Sequence, residues 1–359
     1  MSVLNERYNG ELWADKARGQ HIWLNGQKLV DFCMGSGTHL FGHAPEFLWS
    51  VVSDQFGRGT LYSVPNRLAE EYAAEFARHA PFDKLVFCNT GSEAVMRAFR
   101  IARACTGRHK IALVHGFHHG SYFDPDVVVI PQDDTFVEVL DEHRVAMVFV
   151  EPFQGSNPQL QLRFMRRLAA YCVERGILLG FDEVISGFRC PGAKGYDITP
   201  DLATYGKIAG GGFPIGLVAG KAGVMEVVRG GVFMGGTFSA NPMSVRAGLE
   251  VIRRITPDVT GTLDGKAEDL MSRVNARCSS LSLMGVGSML RLMFMPRCPR
   301  NCQDRDDNER GGKRAVYSGL LDGGVHVGPN GLIFLSTKHT DADIALLADR
   351  IVEQDACLG

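Results

Sequence analysis

Short apolar runs alternate with amphipathic stretches from residue 85 onward, and this alternation is the strongest pattern in the chain. The apolar runs are nearly continuous, which is typical of strands covered on both faces. Helical periodicity separates them, as in 163–176, whose terminal glycine would cap a helix. The pattern therefore predicts an α/β fold with a mainly parallel sheet flanked by helices. The predicted strands are 85–88, 111–114, 127–130, 145–150, 177–181 and 202–205.

The two ends of the chain show different patterns. Residues 21–32 read as a β-hairpin with Asn25-Gly26 at its turn, a strong local signal. Residues 243–278 are mostly helical in pattern and 281–295 predict further strand, whereas 296–313 are polar, charged and turn-rich and predict an exposed loop. We therefore predict a large domain and a smaller α+β domain built from both ends. The predicted divisions are 1–45 and 243–359 for the small domain and 46–242 for the large one.

Composition limits the classes of partner. The chain has 359 residues, of which 45% are hydrophobic and 22% charged, and its formal net charge is −2, so nothing suggests binding to nucleic acid or an anionic membrane. No apolar run is long enough to span a bilayer and the first residues do not resemble a signal peptide, which predicts a cytoplasmic protein. Nine scattered cysteines are expected to be reduced thiols, and Cys298 and Cys302 are expected in a loop rather than a metal site.

A single lysine stands between an apolar run and a glycine cluster in ATYGKIAGGGFPIG, residues 203–216. A lysine that loses its hydration shell is deprotonated more easily, and the neutral amine is a nucleophile that forms Schiff bases with carbonyl compounds. The alternative is a strand-end lysine whose ammonium group extends to solvent. Lys207 alone does not decide between the two.

A turn with the sequence Thr-Gly-Ser-Glu, residues 90–93, follows one predicted strand and opens a helix. The free backbone N–H groups at the helix start, with the hydroxyl of Ser92, could hold a phosphate. The alternative is that Ser92 and Glu93 only cap the helix.

Two histidines follow the strand 111–114, in HGFHHGSY, residues 115–122. Ligands of parallel sheets bind outside the carboxyl ends of the strands, so His118 and His119 are expected in the same crevice as the phosphate site. A metal site would need further ligands at suitable spacing, which the sequence does not show clearly. A ring that lies flat on a cofactor needs only one of these residues.

Asp182 directly follows a buried strand in LLGFDEVISGFR, residues 178–189. A buried acid needs a cationic partner, and a protonated heteroaromatic nitrogen of a ligand would serve. The alternative is an acid that is solvated or caps a helix. Together, a phosphate site, a flat ring, an acid for a ring nitrogen and a lysine for an aldehyde are the requirements of pyridoxal 5'-phosphate.

The motifs and their order resemble class III aminotransferases, which are fold type I pyridoxal-phosphate enzymes, and among these the glutamate-1-semialdehyde aminomutases. The resemblance covers nearly the whole chain and implies a large domain with a seven-stranded, mainly parallel sheet between helices. The stretches that carry it are GQHIWLNGQKLVDF, NTGSEAVMRAFRIARACTGR, FDEVISGFR, PDLATYGKIAGGGFPIG, GGTFSANP and KHTDADI.

The resemblance also implies roles for particular residues. Lys207 matches the Schiff-base lysine and Asp182 the partner of the pyridine nitrogen. Thr237 matches a residue that reaches the phosphate of a neighbouring subunit, which implies a homodimer with shared active sites. The remaining matches are Gly91 and Ser92 at the phosphate, Val184 against the cofactor ring and Glu151 as an acid near the site.

Three features depart from the family's pattern. His118 stands where the family has tyrosine or phenylalanine, so an imidazole is expected to stack on the cofactor, while His119 keeps the usual histidine-glycine pair. The chain also begins too late for the aminomutase segment whose serine and arginine hold the substrate carboxylate. Finally, the aminomutase's asparagine aligns with Ser156 whereas Asn157 lies one position later, and either could approach the cofactor.

The resemblance implies an aminotransferase that moves an amino group from a donor, such as glutamate, to a ketone or aldehyde through a Schiff base at Lys207. The first alternative is an aminomutase that moves the amino group within one substrate. A catalytically silent relative is a further alternative, against which the presence of Lys207 and Asp182 argues. A nicotinamide dehydrogenase is disfavoured because the glycine-rich dinucleotide fingerprint is missing.

Overall fold

The centre of the protein is a seven-stranded sheet. The structure is a computed structural model that describes residues 12–120, 124–191, 193–309 and 311–358. The strand order is β4-β10-β9-β8-β7-β5-β6, and all strands except β10 run parallel to one another. The strands are β4 (Lys84–Cys88), β5 (Lys110–Val114), β6 (Val127–Ile130), β7 (Val145–Val150), β8 (Leu178–Asp182), β9 (Leu202–Gly206) and β10 (Gly216–Gly220). The predicted α/β fold with a mainly parallel sheet is confirmed.

The six strands predicted from apolar runs are all present, but the pattern missed β10. Its sequence, GLVAG, is short and begins and ends with glycine, a residue depleted in strands. Tight packing explains both glycines. A Cβ atom on Gly216 would lie 2.1 Å from the carbonyl oxygen of Thr90, and one on Gly220 would lie 2.6 Å from the Leu202 side chain.

Helices cover the sheet. One of the longest, α4 (Gly91–Thr106), buries Val95, Ala98, Phe99 and Ala102, whose spacing places them on one face of the helix. The predicted helix at 163–176 is α6 (Leu162–Arg175), which Gly176 ends in a left-handed conformation. The remaining helices of the first 252 residues are α1 (Met34–Gly37, one irregular turn), α2 (Glu46–Arg58), α3 (Arg67–Phe76), α5 (Phe136–Asp141), α7 (Ala193–Tyr196), α8 (Ala222–Arg229) and α9 (Pro242–Ile252).

A second body of structure is formed by both ends of the chain. One sheet has the order β1-β2-β3-β13 and another the order β11-β12-β14. The predicted hairpin is confirmed as β2 and β3, and both turn residues, Asn25 and Gly26, have positive φ angles of 50° and 78°. The elements are β1 (Ala14–Arg18), β2 (His21–Leu24), β3 (Gln27–Asp31), α10 (Pro257–Asn275), β11 (Ser282–Val286), β12 (Met289–Met293), α11 (Cys302–Asn308), α12 (Lys313–Asp322), β13 (Val325–His326), β14 (Leu332–Phe334) and α13 (Asp341–Ala356).

Residues near both termini share one apolar core. Phe32 and Leu40 pack in the same cluster as Leu290, Leu320 and Leu347, and all five are at most 1% exposed. The division of the chain at residues 45 and 242 stays a prediction.

The prediction of an exposed loop at 296–313 is wrong. The segment contains α11, and Lys313 begins α12. Asp304 accepts hydrogen bonds from Arg297 and Arg300, and the buried Arg305 donates to the carbonyl oxygen of Ser156 over 3.0 Å. A short helix held by ion pairs and by contacts with a distant loop leaves no apolar periodicity in its sequence.

Arg189 joins the two bodies. Its buried guanidinium donates hydrogen bonds to the carbonyl oxygens of Gly37, Ser288 and Leu335, which lie on segments from both ends of the chain. Within the described ranges, no helix has the length and apolar character needed to cross a bilayer.

Candidate active site

Four neighbouring strands each deliver one titratable side chain to the same edge of the central sheet. Lys207 follows β9, Asp182 ends β8 and Glu151 follows β7. His119 lies in the loop after β5, the next strand in the order. Because all four strands are parallel, their carboxyl ends meet at one edge, and residues far apart in sequence come together there.

Asp182 is buried and paired. Its carboxylate is 6% exposed, and one oxygen accepts a hydrogen bond from Nδ1 of His119 over 2.8 Å. The other oxygen accepts from the Thr204 hydroxyl and from the backbone N–H of Val184, each over 3.1 Å. Asp182 is thus buried with hydrogen-bond partners within the chain, and its side chain also closes the turn at Val184, whereas a cationic ligand as its partner stays a prediction.

Lys207 occupies an unusual backbone position. It is the first residue of a 3₁₀ turn, Lys207–Gly210, and its φ angle of +50° lies in the left-handed region. A non-glycine residue held there costs about 1–2 kcal/mol, and such strain gathers at functional sites.

The Lys207 amine lies in a buried and acidic environment. Burial lowers its pKa, and the nearby carboxylates of Asp182 and Glu151 oppose that effect without cancelling it. Within the described residues no ion pair holds the ammonium group. These properties favour the nucleophilic amine over a lysine that extends to solvent.

The start of α4 lies beside this row of residues. Thr90 caps the helix by accepting from the backbone N–H of Glu93, whose carboxylate in turn accepts from the backbone N–H of Asn89 over 2.6 Å. The side chains of Thr90 and Glu93 thus cap the start of the helix.

Close contacts join the predicted phosphate site to the rest of the crevice. A Cβ atom on Gly120 would lie 2.4 Å from the Ser92 hydroxyl oxygen, and one on Gly91 would lie 2.7 Å from the Val184 side chain. A Cβ atom on Gly206, the residue before Lys207, would also lie 3.4 Å from Val184. The structure thus brings Gly91, Ser92 and Val184 into the site that holds Lys207.

The two adjacent histidines differ in their surroundings. His119 is buried, packs its ring 4.8 Å from that of Phe149 and bonds to Asp182, so it orients that carboxylate. His118 is exposed, and its backbone N–H donates to Glu151 over 3.3 Å. Of these two adjacent histidines, His118 is the one with an exposed imidazole, as a stacking ring requires. Among the described residues, no three histidine, cysteine, aspartate or glutamate side chains are grouped to hold a metal ion.

Glu151 is a buried carboxyl group without an ion pair in the described parts of the chain. Burial raises its pKa to about 7, although the neighbouring His119 and two backbone N–H groups favour the charged form.

Ser156 and Asn157 have separate hydrogen-bond partners. The Ser156 hydroxyl donates to the carbonyl oxygen of Gly116 over 3.1 Å. Asn157 is 1% exposed and accepts a hydrogen bond from Gln159, whereas its amide nitrogen has no partner among the described residues. Of the two residues, Asn157 keeps an unused buried donor.

Thr237 lies on an exposed loop that is fixed by a residue the sequence reasoning missed. Arg97, on α4, is buried and donates to the backbone carbonyls of Met234 and Gly235 and to the hydroxyl of Ser239. The same helix therefore carries the predicted phosphate site and anchors the loop of Thr237. A single arginine among apolar helix positions gives no sequence signal for such a role.

The arrangement fits pyridoxal 5'-phosphate. The start of α4 offers free backbone N–H groups to a phosphate, the buried Asp182 suits a pyridinium nitrogen, and Lys207 suits an aldehyde. Gly91 and Gly120 let Val184 and Ser92 approach the backbone closely at this site, because a Cβ atom on either glycine would clash with those side chains.

Comparisons with known proteins agree with this arrangement. The family model described as aminotransferase class-III matches residues 4–124 and 133–331. The chain is 32% identical to the glutamate-1-semialdehyde 2,1-aminomutase of Archaeoglobus fulgidus, over 94% of this chain and 91% of that protein. It is 33% identical to the enzyme of the same description from Methanosphaera stadtmanae, over 92% of this chain and 88% of that protein.

A solved structure shows the same fold. The omega-transaminase from Sphaerobacter thermophilus is 28% identical and superimposes with a TM-score of 0.90, over 96% of this chain and 91% of that one. The alignment with the Archaeoglobus protein extends over 384 positions, more than the 359 residues of this chain, so that relative has internal residues that this chain lacks. The chain belongs to the class III aminotransferases and is, like them, a pyridoxal-phosphate-dependent enzyme.

Proposed function

We propose that the protein transfers an amino group from an amino donor, such as glutamate, to a ketone or aldehyde acceptor. The observation that carries this proposal is the row of Lys207, Asp182, Glu151 and His119 on four adjacent strand ends beside the start of α4. Similarity to an omega-transaminase supports it.

When bound, pyridoxal 5'-phosphate supplies an aldehyde that condenses with amines and a pyridine ring that accepts an electron pair. Gly91 and Ser92 would hold its phosphate, Val184 and the imidazole of His118 would enclose its ring, and Asp182 would face its nitrogen. Lys207 would condense with its aldehyde.

Asp182 and Lys207 have separate roles in this reaction. Asp182, fixed by His119 and Thr204, keeps a negative charge where a ring nitrogen must stay protonated. The Nζ atom of Lys207, when it is not joined to the aldehyde, would be the base that takes up and returns a proton. Its lowered pKa suits this role because the base must be unprotonated near neutral pH.

We further propose a cytoplasmic homodimer in which Thr237 reaches the phosphate site of the partner subunit. Apolar side chains around its loop support an interface: Phe233 and Phe238 are 79% and 59% exposed, and Phe56 and Val64 are 71% and 70% exposed. The two segments are joined, since Asn66 donates to the carbonyl oxygen of Ala240 over 3.3 Å. Contiguous exposed apolar groups mark contact surfaces.

The second candidate is an aminomutase, which moves the amino group between adjacent carbons of one substrate. The curated relatives at 32% and 33% identity carry the name glutamate-1-semialdehyde 2,1-aminomutase, and this specific observation favours it. The same residues serve both reactions, and the difference is whether the intermediate product is released.

Visible absorbance tests both candidates. The purified protein is loaded with pyridoxal phosphate and mixed with glutamate and a panel of other amines. Bleaching to pyridoxamine phosphate by one donor, with recovery on adding a keto acid, is expected of an aminotransferase. Turnover of glutamate 1-semialdehyde with no bleaching by any separate donor would overturn it in favour of the aminomutase.

A further inference from the structure

Glu151 holds a central place in the row of titratable groups. It follows β7, whose six residues are all buried, and β7 lies between the strands that lead to His119 and Asp182. The residue is 6% exposed, so its carboxyl group belongs to the interior of the crevice rather than to its rim.

The orientation of this carboxyl group is fixed by the main chain. Oε2 accepts a hydrogen bond from the backbone N–H of His118 over 3.3 Å, and the backbone N–H of Gly155 is a second donor. A Cβ atom on Gly155 would lie 3.7 Å from Oε1 of Glu151 and 3.9 Å from Ile185 and from Leu332, so apolar side chains lie near this carboxyl group.

The charged groups that face Glu151 come from three neighbouring elements. They are His119 after β5, Asp182 at the end of β8 and Lys207 after β9. In the described part of the chain no arginine or lysine forms an ion pair with Glu151. A buried carboxylate without such a pair is costly, and a cation that enters the crevice would relieve that cost.

The amino donor is such a cation. Amines have pKa values of about 8 to 10, so donors arrive mainly as ammonium ions, whose nitrogen has no lone pair. One proton must leave that nitrogen before it can displace Lys207. We propose that the Glu151 carboxylate binds the ammonium group of the amino donor and takes up this proton. This proposal rests on the aminotransferase function proposed above.

The step is balanced. An N–H bond of the ammonium ion breaks, its electron pair stays on nitrogen, and the proton forms an O–H bond on the Glu151 carboxyl. The products are a neutral amine and a neutral carboxylic acid. Neither is charged, which suits a buried site that has the apolar side chains of Ile185 and Leu332 nearby.

A pH dependence follows, and its sign is fixed by the raised pKa. Below about pH 7 the Glu151 carboxyl is already protonated and cannot accept a second proton. The rate of the donor half-reaction therefore rises with pH through neutrality. The carbonyl acceptor brings no ammonium proton, and in the acceptor half-reaction Glu151 returns its proton only when the product amine leaves, after the absorbance has recovered. The recovery of absorbance with a keto acid therefore lacks this rise.

The test measures the two half-reactions separately. Enzyme loaded with pyridoxal phosphate is mixed with a donor, and enzyme loaded with pyridoxamine phosphate is mixed with a keto acid, between pH 5.5 and 9. Glu151→Gln is expected to slow the donor half-reaction about 100-fold, a usual contribution of a general base, and to remove its rise with pH. The acceptor half-reaction is expected to stay within about 3-fold of the wild type, a small effect beside that contribution.

Glu309→Gln is the matched control. Glu309 is another buried glutamate with an unpartnered oxygen among the described residues, but it lies in the 296–313 segment and pairs with Lys313 over 2.7 Å. This variant is expected to leave both half-reactions and their pH profiles unchanged.

Infrared difference spectroscopy gives a readout that does not depend on turnover. Loaded enzyme at pH 8 is mixed with tert-butylamine, which has no α-hydrogen and cannot complete the reaction. A gain in the protonated carboxyl band is expected in the wild type and not in Glu151→Gln.

Three outcomes decide the matter. Equal slowing of both half-reactions in Glu151→Gln, or a pH rise that persists in this variant, would overturn the role of Glu151 while the aminotransferase function stands. The absence of an amine-induced carboxyl signal would do the same. A wild type whose absorbance no donor changes would refute the proposed function, and with it the acceptance of a donor proton by Glu151.

Discussion

At the residue scale, the reactivity of Lys207 depends on two properties of one position. Its backbone is held in the left-handed region, and burial lowers its pKa while two carboxylates stay close. A lysine on a regular strand end would have neither property. Gly210, which ends the turn, permits close packing, since a Cβ atom there would lie 2.8 Å from the Ile215 side chain.

Replacing Lys207 with alanine is expected to lower turnover by at least about 10³-fold, because the variant loses both the nucleophile and the base. The fold should remain, since the side chain makes no ion pair in the described residues. Steady-state rates and circular dichroism measure the two effects. Lys221→Ala, which removes a lysine paired with Asp201, is the control, and full activity in Lys207→Ala would contradict the assignment.

Gly120→Ala is expected to weaken pyridoxal phosphate binding because the new methyl group would lie 2.4 Å from the Ser92 hydroxyl oxygen. Gly107→Ala is the matched control: both glycines have positive φ, 80° and 65°, but Gly107 has no atom within 4 Å of an added Cβ. Both variants should lose about 1 kcal/mol of stability from backbone strain. Cofactor titration and urea unfolding separate the effects, and equal cofactor affinity would argue against Ser92 at the phosphate.

At the element scale, α4 performs two tasks. Its first turn forms the predicted phosphate site, and Arg97, two turns further on, holds the loop that carries Thr237. A substitution of Arg97 should therefore affect the cofactor site, although Arg97 acts on it only through this loop.

Arg97→Gln is expected to destabilise the protein by about 2–4 kcal/mol, because several backbone carbonyl oxygens lose their charged donor and the buried side chain loses its partners. It should also weaken pyridoxal phosphate binding, since the loop of Thr237 loses its anchor. Unfolding in urea and cofactor titration measure these effects. Arg100→Gln, an exposed change on the same helix, should alter neither, and normal cofactor affinity in Arg97→Gln would separate this loop from the phosphate site.

Some elements could be predicted from their own sequences and others could not. The helix 162–175 and the hairpin at Asn25-Gly26 carry their signals locally, in apolar period and turn chemistry. The helix α11 and the strand β10 do not. The helix α11 is held by Arg297, by Arg300 and by contacts with the loop after β7. The strand β10 is short, begins and ends with glycine, and pairs with β4 on one side and β9 on the other.

At the scale of the whole molecule, Asp31 joins the two ends of the chain. Its carboxylate lies 2.8 Å from Nδ1 of His326 and 2.7 Å from Nε2 of His43, and its carbonyl oxygen accepts from His339. Burial opposes ionisation, but the hydrogen bonds from His326 and His43 hold the pKa of Asp31 well below its usual range.

A carboxyl with a lowered pKa stabilises the folded state above its unfolded pKa, and this stabilisation is lost as the pH falls through the folded value. Asp31→Asn is therefore expected to reduce the free energy of unfolding at pH 7 by about 2–4 kcal/mol and to flatten its fall below about pH 4. Urea unfolding from pH 2.5 to 7 measures both. Asp341→Asn, at a side chain 92% exposed, is the control, and an unchanged slope in Asp31→Asn would contradict this role.

The sequence by itself determined the α/β class, the strands with continuous apolar character, and the identity of the family. It also indicated Lys207, Asp182, Gly91 and Ser92, because strand-end chemistry and helix starts are local features that stay visible in a linear chain. It left open whether Asp182 is solvated or buried, and it placed Glu151 only near the site.

The tertiary structure decided the rest. The order of the strands put Glu151 between His119 and Asp182, burial set the pKa of Glu151 and Lys207, and α4 coupled the phosphate site to Thr237 through Arg97. These properties arise from desolvation and from contacts between residues that lie far apart in the sequence. A linear pattern records which residues are present, whereas the packing of the chain determines which of them lose water and which meet.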